Sequence, residues 1–590
     1  MLDIAVAQLN LTVGDLDGNV RQMTTAARRA WEQQADVVVF PELALTGYYP
    51  GDLLDDPAFL QRTEAAFHAL LLASRQMPGL HWVVGLPVRH AGPGHGLHNA
   101  LHVIRGGDIL LTCAKQLLPT YNVFDERRHF DPGPDAVRLL AIRGVRVGFL
   151  ICEDGWNDSG QSYVANPFER LRDAAPDLVV SINASPSNIG KRRQRHDVLG
   201  QAARRHGLPL LYVNHVGGHD QLVYDGASFA VEADGRVVFE ARRFEPELRV
   251  LRFAQGRFWL AGRNDGDAPP AVARDGLPRS EFYRRQIVLG LRDYARRCGF
   301  ADVVVGCSGG IDSALTLALA VEALGADHVH AITMPSVWSS EGSVSDSARL
   351  CQRLGLALHT HPIGDLVAQY ASGFAHAFGT PLQGLALENV QARIRGTVLM
   401  EYSNQRGPLL LTTGNKSELS VGYCTLYGDT NGGLGLIGDL YKTEVFALAR
   451  HLNAQAGAGR GADTAWATAA DAQADADDTG PIPRASIDKP PSAELAPGQR
   501  DSDSLPPYDV LDEVLKWHIE GQRLAPDELP GVQARVAQLQ ATPEGEALVQ
   551  RVRQLIARSE YKRRQAAPVI RVRGLAFGSG RQMPVAAKHF

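Results

Sequence analysis

Three residues in the first half of the chain carry side chains that together could hydrolyse an amide. They are Glu42, Lys115 and Cys152, and each follows a short apolar run. A thiolate is a strong nucleophile, but a thiol first needs a base to take its proton, and a carboxylate in a partly desolvated site can serve. A fixed ammonium stabilises the oxyanion that develops during attack on an amide carbon. Each residue alone has an ordinary interpretation as a packed cysteine or an exposed charge, so the prediction depends on the three acting together.

A second candidate site lies in the other half of the chain, between a β-branched run and an apolar helical run. Its residues are Gly306, Cys307, Ser308, Gly309, Gly310, Ile311, Asp312 and Ser313. Glycines allow close backbone approach, and N–H groups at a helix start, together with serine hydroxyls, bind anions. The segment therefore predicts a cradle for a phosphate group. No lysine follows the glycines, so the loop differs from the pattern typical of γ-phosphate transfer.

The elements that must position these residues indicate two α/β domains. Residues 1–262 alternate buried strand-like runs with helical stretches, which favours a layered sandwich. A segment rich in Gly, Pro and Asp predicts a linker over 263–278. Residues 279–590 begin with a helix and continue in the strand, helix, strand order of an open parallel sheet. Within them, 453–481 is poor in large apolar residues, so we expect a mobile low-complexity insertion there.

Composition narrows the classes of function. The chain has 590 residues, with 60 Lys+Arg against 65 Asp+Glu and a formal net charge of −5. No basic block resembles a nucleic-acid footprint, so we expect no nucleic-acid partner. No run of about 20 apolar residues and no basic, then apolar, leader occurs, so we expect neither a membrane span nor export. The six scattered cysteines argue against a disulfide framework and favour a reducing cytoplasm.

The first domain resembles the nitrilase superfamily, because Cys152 opens the sequence Cys-Glu-Asp-Gly-Trp and accompanies a suitable glutamate and lysine. This resemblance implies an αββα sandwich that cleaves C–N bonds through a covalent thioester. In relatives that hydrolyse glutamine, a tyrosine, a serine and a basic residue bind the substrate. The matching positions are Tyr121, Ser185 and Lys191, and Glu126 is a further candidate carboxylate.

The second domain resembles the ATP pyrophosphatases, which split ATP between the α and β phosphates and adenylate a substrate. The order of its later segments, including TTGNKSELSVGY, GDLYKTEVFALA and PPSAEL, is similar to that of the glutamine-dependent NAD⁺ synthetase family. This resemblance implies Mg²⁺ held by Asp312 and Glu418, with ATP and deamido-NAD⁺ as substrates. The implied ligand contacts are Thr413 for ATP, Asn389, Glu418 and Lys562 for deamido-NAD⁺, and Lys489 near the phosphates.

The activity implied by both resemblances is amidation of adenylated deamido-NAD⁺ by ammonia released from L-glutamine, giving NAD⁺, glutamate, AMP and pyrophosphate. Free ammonium has no lone pair for attack, so we hypothesise a shielded passage for ammonia. Relatives also imply a homo-oligomer. Three alternatives remain at this point: another ATP-pyrophosphatase amidotransferase, a stand-alone amidase with a nucleotide-binding regulatory domain, and a metabolite-binding regulator that keeps inactive enzyme domains.

Overall fold

The structure is a computed structural model of the full chain, and it describes residues 1–261, 272–273, 276–457, 478 and 480–587. The chain divides into two compact units. The first unit comprises Met1–His219 and Val223–Gly276, and the second comprises Asp220–Leu222 and Leu277–Phe590. Most of the predicted linker, 263–278, lies outside the described residues.

The described residues of the first unit form mainly strands, together with four α-helices. Its strands are β1 (Leu2–Gln8), β2 (Val37–Val39), β3 (His81–Arg89), β4 (Leu97–Arg105), β5 (Asp108–Ala114), β6 (Leu139–Ile142), β7 (Val145–Ile151), β8 (Leu178–Asn183), β9 (Leu210–Asn214), β10 (Val216–His219), β11 (Leu222–Asp225), β12 (Phe229–Val231), β13 (Val237–Glu240), β14 (Glu247–Ala254) and β15 (Arg257–Leu260). Its helices are α1 (Leu16–Glu32), α2 (Pro57–Ser74), α3 (Pro167–Ala174) and α4 (Lys191–His206).

Two sheets pack face to face in the first unit. One has the order β15-β14-β1-β2-β3-β4-β5 and the other β13-β12-β9-β8-β7-β6. Alternation along β7 explains the layering, because Val147, Phe149 and Ile151 join the core between the sheets, whereas Leu150 packs with Phe168 of α3 on the opposite face. Helices α1 and α2 pack on each other, and α2 packs on β4. This arrangement confirms the predicted αββα sandwich.

The second unit is mainly helical around one sheet. Its helices are α5 (Arg279–Cys298), α6 (Ile311–Leu324), α7 (Glu341–Leu354), α8 (Gly364–Phe378), α9 (Leu385–Arg406), α10 (Lys416–Val421), α11 (Lys442–Gly457), α12 (Arg484–Asp488), α13 (Tyr508–Ile519), α14 (Leu529–Gln540), α15 (Pro543–Arg558) and α16 (Glu560–Arg563). Its strands are β16 (Val303–Gly306), β17 (Val329–Thr333), β18 (Leu358–Thr360), β19 (Leu409–Thr412) and β20 (Leu434–Gly435).

The sheet of the second unit is parallel throughout, in the order β18-β17-β16-β19-β20. The chain moves outward from β16 in one direction and then returns to build β19 and β20 on the other side. In open parallel sheets, ligands bind outside the carboxyl ends of the strands at this reversal of order. Both the glycine loop after β16 and Thr413 after β19 lie at that point. The predicted open parallel sheet is confirmed.

The beginning of the predicted insertion, 453–481, needs a correction. Asn453 belongs to α11, which continues to Gly457 because its alanine-rich sequence favours helix. The Asn453 side chain donates to the carbonyl of Ile482 at 2.7 Å and accepts from its N–H at 3.1 Å. Most of the insertion, 458–477 and 479, lies outside the described residues.

Among the described helices, none combines the length and the apolar character needed to cross a bilayer.

Candidate active sites

Glu42, Lys115 and Cys152 come from three different strand ends of the first unit. Lys115 directly follows β5, Cys152 directly follows β7, and Glu42 lies three residues beyond β2. Lys115 donates from Nζ to Oε1 of Glu42 at 2.7 Å, and both side chains are fully buried. The other oxygen of Glu42 accepts the backbone N–H of Ala184 at 2.9 Å. The carboxylate is therefore held from two sides.

A second carboxylate shares the same lysine. Lys115 also donates to Oε1 of Glu126 at 2.6 Å, and the hydroxyl of Tyr48 donates to that oxygen at 2.8 Å. The Asn99 side chain donates to both glutamates, at 2.8 Å to Glu42 and 3.3 Å to Glu126. Burial lowers the pKa of Lys115, but Glu126 and Glu42 outweigh it and raise that pKa well above its ordinary value. The lysine is therefore a permanent cation between two carboxylates.

The candidate nucleophile stands at a sharp turn. Cys152 has φ +46°, in the left-handed region that non-glycine residues seldom adopt, and it opens a short 3₁₀ turn over Cys152–Gly155. Burial raises the pKa of the Cys152 thiol well above its ordinary value, Glu42 raises it further, and Lys115 opposes the shift. The resting side chain is therefore a neutral thiol, which needs a base before it can attack.

Asp154 joins the nucleophile turn to the segment that follows Lys115. Its Oδ1 accepts the N–H groups of Gln116 at 3.0 Å and Leu117 at 2.8 Å, and its Oδ2 accepts the N–H of Ile151 at 3.3 Å. Burial raises the pKa of Asp154 to about 7, against these backbone hydrogen bonds. One side chain thus fixes the spacing between lysine and cysteine, a role that its place in the Cys-Glu-Asp-Gly-Trp motif did not reveal.

Glu153, next to the nucleophile, was also not singled out from the sequence. The hydroxyl of Tyr121 donates to its carboxylate at 3.1 Å, and that of Tyr163 donates at 3.0 Å. Glu153 is 6% exposed, and burial raises the pKa of its carboxyl group, although Lys115 lowers it. Tyr121 itself is 49% exposed, so it reaches from the surface to this acid. The arrangement places a nearly buried carboxyl group beside the nucleophile.

Ser185 is held by Arg195, a basic residue that the sequence analysis did not single out. Arg195, one helical turn after Lys191 on α4, donates to Oγ of Ser185 at 3.2 Å and to its carbonyl at 2.7 Å. Arg195 is buried and paired with Asp225 at 2.7 Å. Lys191 instead places its ammonium 3.8 Å from the ring centroid of Trp156. Arg195 could have been found from the sequence, because it follows Lys191 by four residues and the two side chains therefore lie on one face of α4.

The glycine loop of the second unit borders a cavity of about 280 Å³. Its wall includes most of the predicted ATP-binding residues: Gly306, Cys307, Ser308, Gly310, Ile311, Asp312, Ser313 and Thr413. The hydroxyl of Ser308 accepts the N–H of Gly310 at 3.3 Å and lies 3.2 Å from that of Ser313. Gly309 has φ +75°, and a Cβ there would lie 2.5 Å from the carbonyl oxygen of Ser343 in α7, so only glycine fits.

Two carboxylates in this cavity share one lysine. Lys442, the first residue of α11, contacts Oδ2 of Asp312 and places Nζ 3.2 Å from Oε1 of Glu418. Burial raises the pKa of Glu418, Lys442 lowers it, and Asp312 raises it again. The side chains of Asp312 and Glu418 are 20% and 17% exposed, whereas that of Lys442 is 2% exposed. We call Asp312 and Glu418 the carboxylate pair.

Asn415 orients the carboxylate pair. Its side chain donates to Oδ1 of Asp312 at 3.0 Å and accepts the N–H of Glu418 at 3.0 Å, while Oε2 of Glu418 accepts the N–H of Asn415 at 3.2 Å. This reciprocal capping box begins α10. The sequence Asn-Lys-Ser-Glu carries its signature, so the residue could have been found from the spacing.

Of three residues that the sequence predicts to contact the substrates, one lines the cavity and the other two have contacts elsewhere. Lys489 lines the cavity and pairs with Glu494 at 2.9 Å. Asn389 and Lys562 are not among the described residues of the cavity wall. Asn389 accepts the hydroxyl of Thr425 at 2.7 Å, and Lys562 donates to the carbonyls of Gly422 and Cys424, both at 2.7 Å. The structure thus gives Asn389 and Lys562 local contacts, and their substrate contacts stay predictions.

The fold and the two sites define a protein of two enzyme units, a carbon–nitrogen hydrolase unit followed by a unit of the NAD synthase type. Residues 3–255 match the model of the carbon-nitrogen hydrolase family, and residues 283–566 match that of NAD synthase. The glutamate, lysine and cysteine lie within the first match, and the glycine loop and the carboxylate pair lie within the second.

Full-length relatives narrow this class. A glutamine-dependent NAD(+) synthetase from Synechocystis sp. is 41% identical, with 99% of each chain covered, and one from Rhodobacter capsulatus is 40% identical over 99% of this chain and 98% of that one. The structure of the enzyme from Acinetobacter baumannii in complex with ADP is similar, with a TM-score of 0.72, 34% identity and coverage of 99% of this chain and 98% of that chain. The chain belongs to the family of glutamine-dependent NAD(+) synthetases.

Proposed function

We propose that the chain makes NAD⁺ by amidating deamido-NAD⁺, with ATP as the activating nucleotide and L-glutamine as the nitrogen source. The observation that carries the proposal is the presence of two complete sets of groups in one chain. One is the Cys152 thiol with the buried Glu42 and Lys115, and the other is the glycine loop, whose Asp312 forms the carboxylate pair with Glu418. Each set performs one half of the reaction.

In the first half, Glu42 takes the proton of Cys152, and the thiolate attacks the side-chain amide carbon of glutamine. Lys115 stabilises the oxyanion, and Glu42 then gives the proton to the departing nitrogen, so that ammonia leaves a thioester. Water attacks this thioester while Glu42 accepts its proton. The C–S bond then breaks, glutamate is released, and Glu42 returns the proton to the sulfur of Cys152. Because Glu126 also neutralises Lys115, the site keeps its charge balance when Glu42 becomes protonated.

The α-amino and α-carboxylate groups of glutamine need charged partners. Glu153 offers the nearly buried anion for the ammonium, and Tyr121 is positioned beside it. Ser185 and Lys191 remain our candidates for the carboxylate end, with Arg195 fixing Ser185. A carboxylate in a site that excludes water favours a cationic substrate group strongly.

In the second half, the glycine loop holds the phosphates of ATP while the nicotinate carboxylate of deamido-NAD⁺ attacks the α-phosphorus. Pyrophosphate leaves, and ammonia then displaces AMP from the acyl adenylate. We assign the phosphate contacts to Gly306–Ser313 and Thr413, and the deamido-NAD⁺ contacts to Asn389, Glu418 and Lys562.

The carboxylate pair fits a magnesium ion, because it offers only oxygen donors and already holds one cation between two of its oxygens. Asp312 and Glu418 would hold the ion. When bound, Mg²⁺ neutralises the charge on the phosphates and on the leaving pyrophosphate.

Two variants test the proposal with two nitrogen sources. Cys152→Ala should abolish NAD⁺ formation from glutamine and leave synthesis from ammonium chloride nearly intact. Asp312→Ala should stop synthesis from both sources. Cys298→Ala and Asp327→Ala, at exposed positions, serve as matched controls and should change neither rate. Loss of both activities in Cys152→Ala would contradict separable sites, and full activity of Asp312→Ala would contradict the assignment of the carboxylate pair.

Further parts of the account stay predictions. We propose domain boundaries at 1–262 and 279–590, a homo-oligomeric assembly and a cytoplasmic location. Size-exclusion chromatography with light scattering would test the assembly, and fractionation of the source cells would test the location.

A further inference from the structure

Lys442 has no part in the chemistry above, yet its position is distinctive. It is 2% exposed and contacts both members of the carboxylate pair. The opposite oxygens of the pair are already occupied, because Oδ1 of Asp312 accepts from the side chain of Asn415 and Oε2 of Glu418 accepts from the backbone of Asn415. The remaining oxygens, Oδ2 of Asp312 and Oε1 of Glu418, are the ones that face the ammonium.

A metal ion bound by the pair needs the same two oxygens. A magnesium ion requires oxygen ligands at about 2.0–2.1 Å, whereas an ammonium donates hydrogen bonds at about 2.7–2.9 Å. The two cations also repel each other at such short range. The metal therefore competes with Lys442 for these two oxygens, and the repulsion between the two cations favours displacement of the ammonium.

We propose that Lys442 is a placeholder cation that neutralises Asp312 and Glu418 until the metal displaces it. The inference rests on the proposed function for the identity of the site. A displaced, nearly buried ammonium needs a new anion, and the phosphates of the nucleotide bring one into the same cavity. Metal and nucleotide then bind with positive coupling, because the nucleotide offers a partner to the lysine that the metal releases. Lys442 is thus a positioning residue that makes the cavity bind the metal together with its nucleotide.

Lys489 provides a matched comparison. It carries the same charge and lines the same cavity. Its ammonium, however, pairs with Glu494 at 2.9 Å and contacts Ser343. Removing Lys489 therefore changes the charge of the cavity without freeing an oxygen of the carboxylate pair.

The test measures binding of Mn²⁺, as a probe for Mg²⁺, to the full chain without nucleotide, by electron paramagnetic resonance of the free ion. We expect Lys442→Met and Lys442→Gln each to bind Mn²⁺ at least about tenfold more tightly than the unmodified chain, because a competing unit charge is removed. Lys489→Met should stay within about twofold. With ADP added, the advantage of the Lys442 variants should shrink, since the nucleotide relieves the competition in the unmodified chain. Circular dichroism checks that each variant is folded. If either Lys442→Met or Lys442→Gln fails to fold, the other still tests the proposal.

Three results would overturn the proposal. Unchanged or weaker Mn²⁺ binding in both Lys442 variants would mean that the lysine does not compete with the ion. Equal tightening in Lys489→Met would mean that only the general field of the cavity matters. Tight binding that persists when Asp312→Asn is added to Lys442→Met would place the ion elsewhere. The binding measurement needs no turnover, so the two proposals can fail separately. Failure of NAD⁺ synthesis would contradict the proposed function but not the competition between Lys442 and Mn²⁺. Absence of that competition would contradict this inference but not the proposed function.

Discussion

Both units place one lysine ammonium between two carboxylates, but the surroundings of the two groups differ. In the first unit, Lys115 and Glu42 are fully enclosed, and Glu126 is 1% exposed. In the second unit, Lys442 is nearly buried, but its partners Asp312 and Glu418 are 20% and 17% exposed and line an open cavity. The lysine and its two carboxylates are therefore enclosed in the first unit, whereas a ligand can reach the carboxylates of the second unit.

The difference suits the two reactions. A site that moves protons repeatedly between a thiol, an amide and water needs a fixed electrostatic environment, which enclosure maintains. A site that admits a nucleotide with its metal must exchange cations, which partial exposure of the carboxylates allows. Under the proposed function, burial rather than the identity of the charged groups distinguishes the two lysines: Lys115 would be a catalytic cation and Lys442 an exchangeable one.

The largest expected effect concerns the enclosed base. Glu42→Gln preserves shape and removes the proton acceptor, so glutamine-dependent synthesis should fall by about 10²–10⁴-fold while ammonia-dependent synthesis stays unchanged. Steady-state rates of NAD⁺ formation with each nitrogen source measure this. Glu64→Gln, in an exposed ion pair with Arg89, is the control and should lose nothing. An equal fall with both nitrogen sources would show that the two sites do not act separately.

The two lysines should differ in their effect on stability. Lys115→Met leaves two buried carboxylates without a cation and should destabilise the first unit by about 3–5 kcal/mol. Lys442→Met should have a smaller effect on the second unit, because solvent and ions reach the carboxylate pair. Urea unfolding, followed by limited proteolysis of each unit, compares them. If Lys442→Met destabilises its unit as strongly as Lys115→Met does, exposure is not the property that distinguishes the two sites.

Asn415 tests whether the open carboxylate pair needs orientation. Asn415→Ser retains an oxygen that can cap α10 but removes the donor to Asp312, so ammonia-dependent synthesis should fall by about 10–100-fold. Hydrolysis of glutamine should persist in this variant. At low metal concentration, Asn415→Ser and Asn415→Ala should reduce synthesis equally. If a high metal concentration restores synthesis in Asn415→Ser, the side-chain donor of Asn415 acts through metal binding. Full activity of Asn415→Ser would exclude the orienting role.

The smallest effect, taken per pH unit, is a pH dependence of stability in the enclosed site. Burial raises the pKa of Asp154 to about 7, above its ordinary value of about 3.8, so the folded chain retains a proton that the unfolded chain releases. This group's contribution is complete below the unfolded pKa and is lost as the pH rises toward about 7, by at most about 1.4 kcal/mol per pH unit. Asp154→Asn should remove this slope between pH 4 and pH 7, measured by urea unfolding across that range. An unchanged slope would contradict a neutral Asp154.

Much of this architecture could be predicted from the sequence. Buried strand-like runs within residues 1–262 became β1, β2, β3, β7, β8 and β9. The helix predicted at the start of residues 279–590 became α5, in which Ile287 and Leu291 are buried. Strands such as β4 and β14 were not predicted, because polar residues interrupt them and pairing in the sheet, rather than local sequence, stabilises them. The glycine loop was found because its residues are contiguous.

Residues whose roles depend on contacts across the fold were missed. Lys442 lies 130 positions after Asp312 along the chain, and nothing in the local sequence shows that they touch. Asp154 and Arg195 likewise act through partners on other segments. A motif reveals residues that act together within a few positions, whereas charge pairing between distant segments appears only when the chain is folded.

The central claim is that a single chain passes nitrogen from glutamine to an activated dinucleotide. The most direct measurement supplies glutamine labelled with ¹⁵N at the side-chain amide, together with deamido-NAD⁺ and Mg-ATP, and determines the mass of the dinucleotide product. We expect NAD⁺ that is one mass unit heavier, with equimolar AMP and pyrophosphate. The absence of amidated dinucleotide, or NAD⁺ whose amide carries no label when glutamine is the only nitrogen source, would contradict the account.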